Sequence, residues 1–143
     1  MTREEIASLF ERRAENWRRH DAAALAADHA PTCVVVSPTG GVLEGRDEVE
    51  RIYRIWFTAF PDLELSNTDI LIDGDRVVLL FTLSGTHSGD FFGLRASGRH
   101  LEATCAFVYT LSNGLIAQER RVLDFTGVLV QVGVLRAKPA AGL

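Results

Sequence analysis

The sequence predicts an α+β fold: a run of helices followed by an antiparallel meander, with the helices packed on one face of a curved sheet. Three observations carry this. Apolar residues near the amino terminus, Ile6, Leu9, Phe10 and Trp17, fall on one stripe at helical spacing. Asp73-Gly74-Asp75 and Asn113-Gly114 are hairpin signals between β-rich runs. The continuous apolar run Val77-Val78-Leu79-Leu80-Phe81 implies a strand covered on both faces, by helices on one side and by a cavity or a partner subunit on the other.

Each element has its own signal. The first helix spans 2–19, with Thr2 as its cap and Glu4 and Glu5 in the positive first turn. His20-Asp21 breaks it. An Ala-rich second helix covers 22–29, capped by Asp21 and stopped by Pro31. The β-branched run 33–37 reads as a strand, Pro38-Thr39-Gly40-Gly41 as a turn, and 42–44 as a short returning strand. A third helix over 47–59 presents Val49, Ile52, Tyr53, Trp56 and Phe57, and Pro61 ends it. Strands follow over 63–72, 76–86, 99–111 and 115–125, and a short helix over 126–132 closes the pattern. Between the middle strands, a glycine-containing loop over 88–98 carries Phe91 and Phe92.

The chain has 143 residues, the length of one domain (1–143), in which 134–143 read as a frayed tail. Its net charge of -4 argues against nucleic acid, which calls for clustered Lys and Arg on one face. The densest basic group, Arg12, Arg13, Arg18 and Arg19, is interspersed with Glu11 and Glu15 and reads as a solvated helix face. Cys33 and Cys105 sit in apolar runs and read as reduced core residues. The charged amino terminus lacks an apolar leader, and no apolar stretch approaches the ~20 residues of a membrane span. The expectation is a cytoplasmic protein with no membrane partner.

Asp124 lies among Val122, Leu123 and Phe125 at a strand end. A carboxyl desolvated there would have a raised pKa and would serve as a general base near neutral pH. Equally, Asp124 is placed to cap the helix that starts near Thr126. His87 shares strand parity with Phe81 and Leu83, so it either polarises a substrate oxygen or anchors the following loop. Trp17, Trp56, Phe60, Phe107 and Tyr109 are core residues or pocket walls. Phe91 and Phe92, flanked by Gly89 and Gly93, read as an apolar lid or as an oligomer contact. Glu119 and Arg121 read as cross-strand ion pairs at an exposed face or a subunit interface. No metal, nucleotide or nucleophile-elbow motif is present in the sequence, so no cofactor is implied.

Several pieces, in order, match a known pattern. They are Phe60-Pro61-Asp62, Asp73-Gly74-Asp75-Arg76-Val77-Val78, Gly85-Thr86-His87-Ser88-Gly89-Asp90-Phe91, Ser97-Gly98-Arg99, Asn113-Gly114-Leu115-Ile116, and Asp124 followed by Gln131-Val132-Gly133. Over about 6–135 the chain resembles the SnoaL-like polyketide cyclases of the nuclear transport factor 2-like superfamily. The resemblance implies a cone-shaped fold around a pocket and a homodimer. It also implies cofactor-independent proton abstraction beside a carbonyl on a small apolar substrate, with Asp124 at the position of the base. The cyclases carry a helper histidine on the strand matching Thr104–Tyr109, where this chain has none. The superfamily also holds epoxide hydrolases and non-catalytic binders, so ligand binding or dimerisation without catalysis, and epoxide hydrolysis, are the alternative readings.

Overall fold

The computed structural model describes residues 1–136. Its helices are α1 (Arg3–Arg18), α2 (Ala22–Ala27), α3 (Arg46–Ala59) and α4 (Phe125–Gln131). Its strands are β1 (His29–Ser37), β2 (Gly41–Glu44), β3 (Glu64–Asp73), β4 (Arg76–Thr86), β5 (His100–Ser112) and β6 (Leu115–Leu123). One six-stranded sheet has the order β2-β1-β6-β5-β4-β3.

Local chemistry explains most boundaries. Thr2 and Glu5 form a reciprocal capping box on α1, which satisfies two amide donors that would otherwise lack partners. Asp21 caps α2 through the Ala24 amide at 2.9 Å. Gly74 and Gly114 take positive φ in the two hairpin turns, as the turn chemistry requires. α2 ends two residues earlier than its Ala-rich composition suggests, and His29 already belongs to β1. The competing demand is tertiary: the Ile116 amide on β6 donates to the Asp28 carbonyl.

The sheet differs from the expected antiparallel meander in one pairing. β1 runs parallel to β6, with Val34 opposite Gln118 and Val36 opposite Arg120, so the sheet is mixed. Adjacent hairpins are set by their turns, whereas β1 finds β6 only through packing across most of the chain. Bulges interrupt β3 between Ser66 and Asp69 and β6 at Ala117, where Thr110 and Leu111 face Gln118 and Ile116. A bulge shifts the inward parity by one residue.

On the helix-covered face, Val77, Leu79, Phe81 and Leu83 of β4 and Leu101, Cys105, Phe107 and Tyr109 of β5 are buried. They join Val49, Ile52, Tyr53, Trp56 and Phe57 of α3 in one apolar cluster. Each large side chain buried this way contributes roughly 1.5–3 kcal/mol relative to exposure. The expected frayed tail divides: the Val134 and Leu135 amides donate to the Leu129 carbonyl at 2.9 and 3.1 Å, while 137–143 lie outside the described residues. No helix is long and apolar enough to cross a membrane among the described residues.

Candidate functional site

The inward stripe of α1 is interrupted by charge. Ile6, Leu9, Phe10 and Trp17 are buried, and Arg13 occupies the helical slot between Phe10 and Trp17 with only 2% exposure. Its guanidinium donates to the Leu25 carbonyl at 2.9 Å, to Asp28 at 3.1 Å and to the Tyr53 hydroxyl at 3.1 Å. The reading of this arginine as part of a solvated face is therefore corrected. Its spacing from Phe10 and Trp17 was the available signal.

Arg13 lines a cleft of about 850 Å³ between α1 and the β3–β4 end of the sheet. Phe10, Trp17, Leu65, Ile70 and Leu79 give it an apolar wall, and His20 and Asp62 stand among its polar groups. His20 holds an unusual backbone, with φ of 52°. Its Nε2 donates to the Leu63 carbonyl at 2.7 Å and its ring stacks on Phe57 at 4.3 Å.

A second charged group is buried in the core. Glu119 and Arg121 of β6 are both buried and bonded to each other through Arg121 Nε. His29 Nε2 lies 2.7 Å from Glu119 Oε1, and His29 Nδ1 lies 3.1 Å from the Leu25 carbonyl. Burial alone would raise the Glu119 pKa, but Arg121 and His29 outweigh it and hold the carboxyl well below the usual range. Glu119 is thus an anion, and both its partners donate to it. His29 thus links Glu119 to the backbone at Leu25. Burial pushes the Tyr109 hydroxyl well above its ordinary pKa and that of Tyr53 up as well, so both are neutral. The expected exposed or interfacial position of Glu119 and Arg121 is therefore wrong: they face the interior.

The named site residues divide into three groups. Trp17 lines the cleft, whereas Phe107 and Tyr109 are buried in the core and do not, with Tyr109 edge-on to the lining residue Phe10 at 4.9 Å. Trp56, Phe60, Phe91 and His87 form a separate aromatic box, with Phe91 4.8 Å from Trp56 and 5.3 Å from Phe60. Within it, His87 Nδ1 accepts from the Ser97 amide at 3.2 Å, which is the loop-anchoring arrangement. Phe91 is fully buried, and the Ser88 and Gly89 amides donate to the Ala59 carbonyl. That segment is a pinned plug and not an open lid; of its two phenylalanines, Phe92 is exposed, at 39%.

Asp124 stands alone. It is exposed, and its carboxylate accepts from the Gly127 amide at 2.9 Å as the cap of α4. The expected desolvated carboxyl is corrected by strand parity: Arg120, Val122 and Asp124 face outward while Glu119 and Arg121 face inward. Both cysteines are free and buried, and burial pushes the Cys105 thiol up to about 12, which leaves no thiolate nucleophile there near neutral pH. No cluster of metal-ligating side chains occurs among the described residues.

The comparisons place this geometry among known proteins. A family model described as SnoaL-like polyketide cyclase matches residues 7–132. No curated protein matches the sequence closely. TsrD from Streptomyces laurentii superposes with a TM-score of 0.82 at 26% identity, covering 94% of this chain and 99% of that one. AclR from Streptomyces galilaeus, provisionally named a hydroxylase, gives 0.80 at 26% identity over 95% and 85% of the two chains. IdmH from Streptomyces antibioticus, provisionally named a polyketide cyclase, gives 0.70 at 26% identity over 92% and 97%.

Proposed function

The chain belongs to the SnoaL-like polyketide cyclase family, and on that premise we propose that it is a cofactor-independent acid/base enzyme. Its substrate is a small, largely apolar carbonyl compound held in the cleft between α1 and β3–β4. One observation carries this reading: a histidine, His20, stands in the wall of that cleft with one nitrogen committed to backbone. A neutral ring that donates from Nε2 to Leu63 keeps its lone pair on Nδ1, the form a general base needs. In the proposed step, Nδ1 takes a proton from carbon next to the carbonyl. The C–H electron pair becomes the enolate, which attacks a second carbonyl to close a ring. The imidazolium then returns the proton to the resulting alkoxide. Arg13 contributes positive charge from within the wall.

The test is turnover of aromatic β-keto esters by wild type and by His20→Asn, since asparagine tolerates the positive φ but cannot act as base. The expected loss is about 10²–10⁴-fold. Asp124→Asn keeps a cap for α4 and leaves turnover unchanged. Undiminished turnover in His20→Asn would remove the histidine from the mechanism.

A second reading, epoxide hydrolysis, draws support from one observation. Asp28–Arg13 and Glu119–Arg121 are buried carboxylate–arginine pairs of the kind that activates and positions a water. A terminal epoxide included in the same screen separates the two reactions. Binding without turnover of either substrate would favour the non-catalytic ligand-binding reading.

A further inference from the structure

Three buried side-chain polar atoms have no protein partner among the described residues: His87 Nε2, Tyr109 Oη and Arg121 Nη2. Such atoms are rare in folded proteins, and each calls for a physical reason. His87 lies apart in its aromatic box. The other two are neighbours. β5 and β6 pair Phe107 with Arg121 and Tyr109 with Glu119, so Tyr109 and Arg121 are diagonal neighbours on the inward face. The Arg121 guanidinium lies 4.7 Å from the Tyr53 ring centre and 5.3 Å from that of Phe107. The Arg13 guanidinium, in the cleft wall, lies 5.8 Å from the Tyr109 ring centre.

Arg121 engages Glu119 through Nε, which leaves its Nη2 idle. A ligand anion would accept from both idle donors at once.

We propose that Arg121 and Tyr109 form the head-group site for an organic carboxylate, whose oxygen accepts from Arg121 Nη2 and Tyr109 Oη while its apolar body lies along the cleft beside Phe10 and Leu79. Tyr109 and Arg121 are not among the residues that line the cleft; Arg13, which is, stands against the Tyr109 ring and links the two. The proposal rests on the cleft being the substrate site and adds the charge class of the substrate to that reading. Because Arg121 Nε is already committed to Glu119, the contact uses Nη2 alone and gains its strength from full charge on the acceptor.

The probes are 2-naphthoate and its neutral methyl ester, titrated calorimetrically into the intact protein at neutral pH. The acid is expected to bind about tenfold or more tightly than the ester, the gain of a charge-assisted over a neutral hydrogen bond. Arg121→Gln abolishes that preference while leaving ester binding in place. Tyr109→Phe, which removes one oxygen and serves if the arginine variant does not fold, weakens acid binding several-fold. Equal affinity for acid and ester, or wild-type acid binding in Tyr109→Phe, would overturn the proposal. The two readings fail separately. Turnover of a neutral keto ester with no preference for the acid defeats the head-group site and leaves the cyclase reading standing. A strong acid preference sensitive to Tyr109→Phe, without turnover of any keto compound, does the reverse.

Discussion

Glu119 holds a full charge with its side chain wholly shielded from water, and the cost of placing it there is met by two specific partners. Removing one member of a buried pair leaves the other uncompensated, which typically costs 3–5 kcal/mol. Glu119→Gln is therefore expected to lose about 3 kcal/mol at neutral pH by urea denaturation. The sign of its pH dependence follows from the depressed carboxyl pKa. The contribution of Glu119 is fully present above the unfolded carboxyl value of about 4.3 and is lost as pH falls below it. The gap between wild type and Glu119→Gln should narrow as the titration moves from neutral to about pH 3; a constant gap would mean that Glu119 is not the anion described here. At this scale the sequence was only partly legible. Arg13 was readable from its slot on the apolar stripe. Glu119 and Arg121 were not, because charged residues are rarely buried unless paired, and the partner His29 comes from a distant strand. The bulge at Ala117 compounds this, since parity carried along β6 from Ile116 points Arg120 and Asp124 inward.

At the scale of elements, the connection from β4 to β5 is defined by how it is held. His87 bonds Ser97, the Ser88 and Gly89 amides bond the end of α3, and Phe91 fills the space beside Trp56 and Phe60. Gly89 is required by this approach: a Cβ there would lie 2.3 Å from the Thr58 carbonyl oxygen. Gly89→Ala is expected to destabilise the protein by about 2 kcal/mol, a magnitude usual for a strained core change. It is also expected to expose Trp56, which a red shift of tryptophan fluorescence would report. An unchanged midpoint and spectrum would show that the segment is free to move away from α3. The hairpins and most helix limits were legible because turn and cap chemistry is local. The end of α2 and the partner of β1 were not, because both depend on contacts between residues far apart in the chain.

At the scale of the molecule, the sheet has one covered face and one bare one. Val34, Val36, Val42 and Val122 are exposed on the bare face, and Val36 lies directly opposite Val42 across the β1–β2 ladder. Leu71 extends the exposed apolar surface to β3. Six strands at roughly 4.8 Å spacing make a face about 24 Å wide. Such a face can bury on the order of 600–800 Å² per protomer, close to the size of a specific interface. Several exposed apolar side chains gathered on one such face mark an interaction surface. We propose that a second copy of the chain covers it, so that the protein is a homodimer whose two clefts face away from the contact. Sedimentation velocity at micromolar concentration should give a dimer for the wild type. Val36→Glu combined with Val122→Glu places a charge on each of two strands of that face and should give a folded monomer with the cleft intact. A monomeric wild type would refute the interface, and a double variant that stays dimeric would place the contact on another surface.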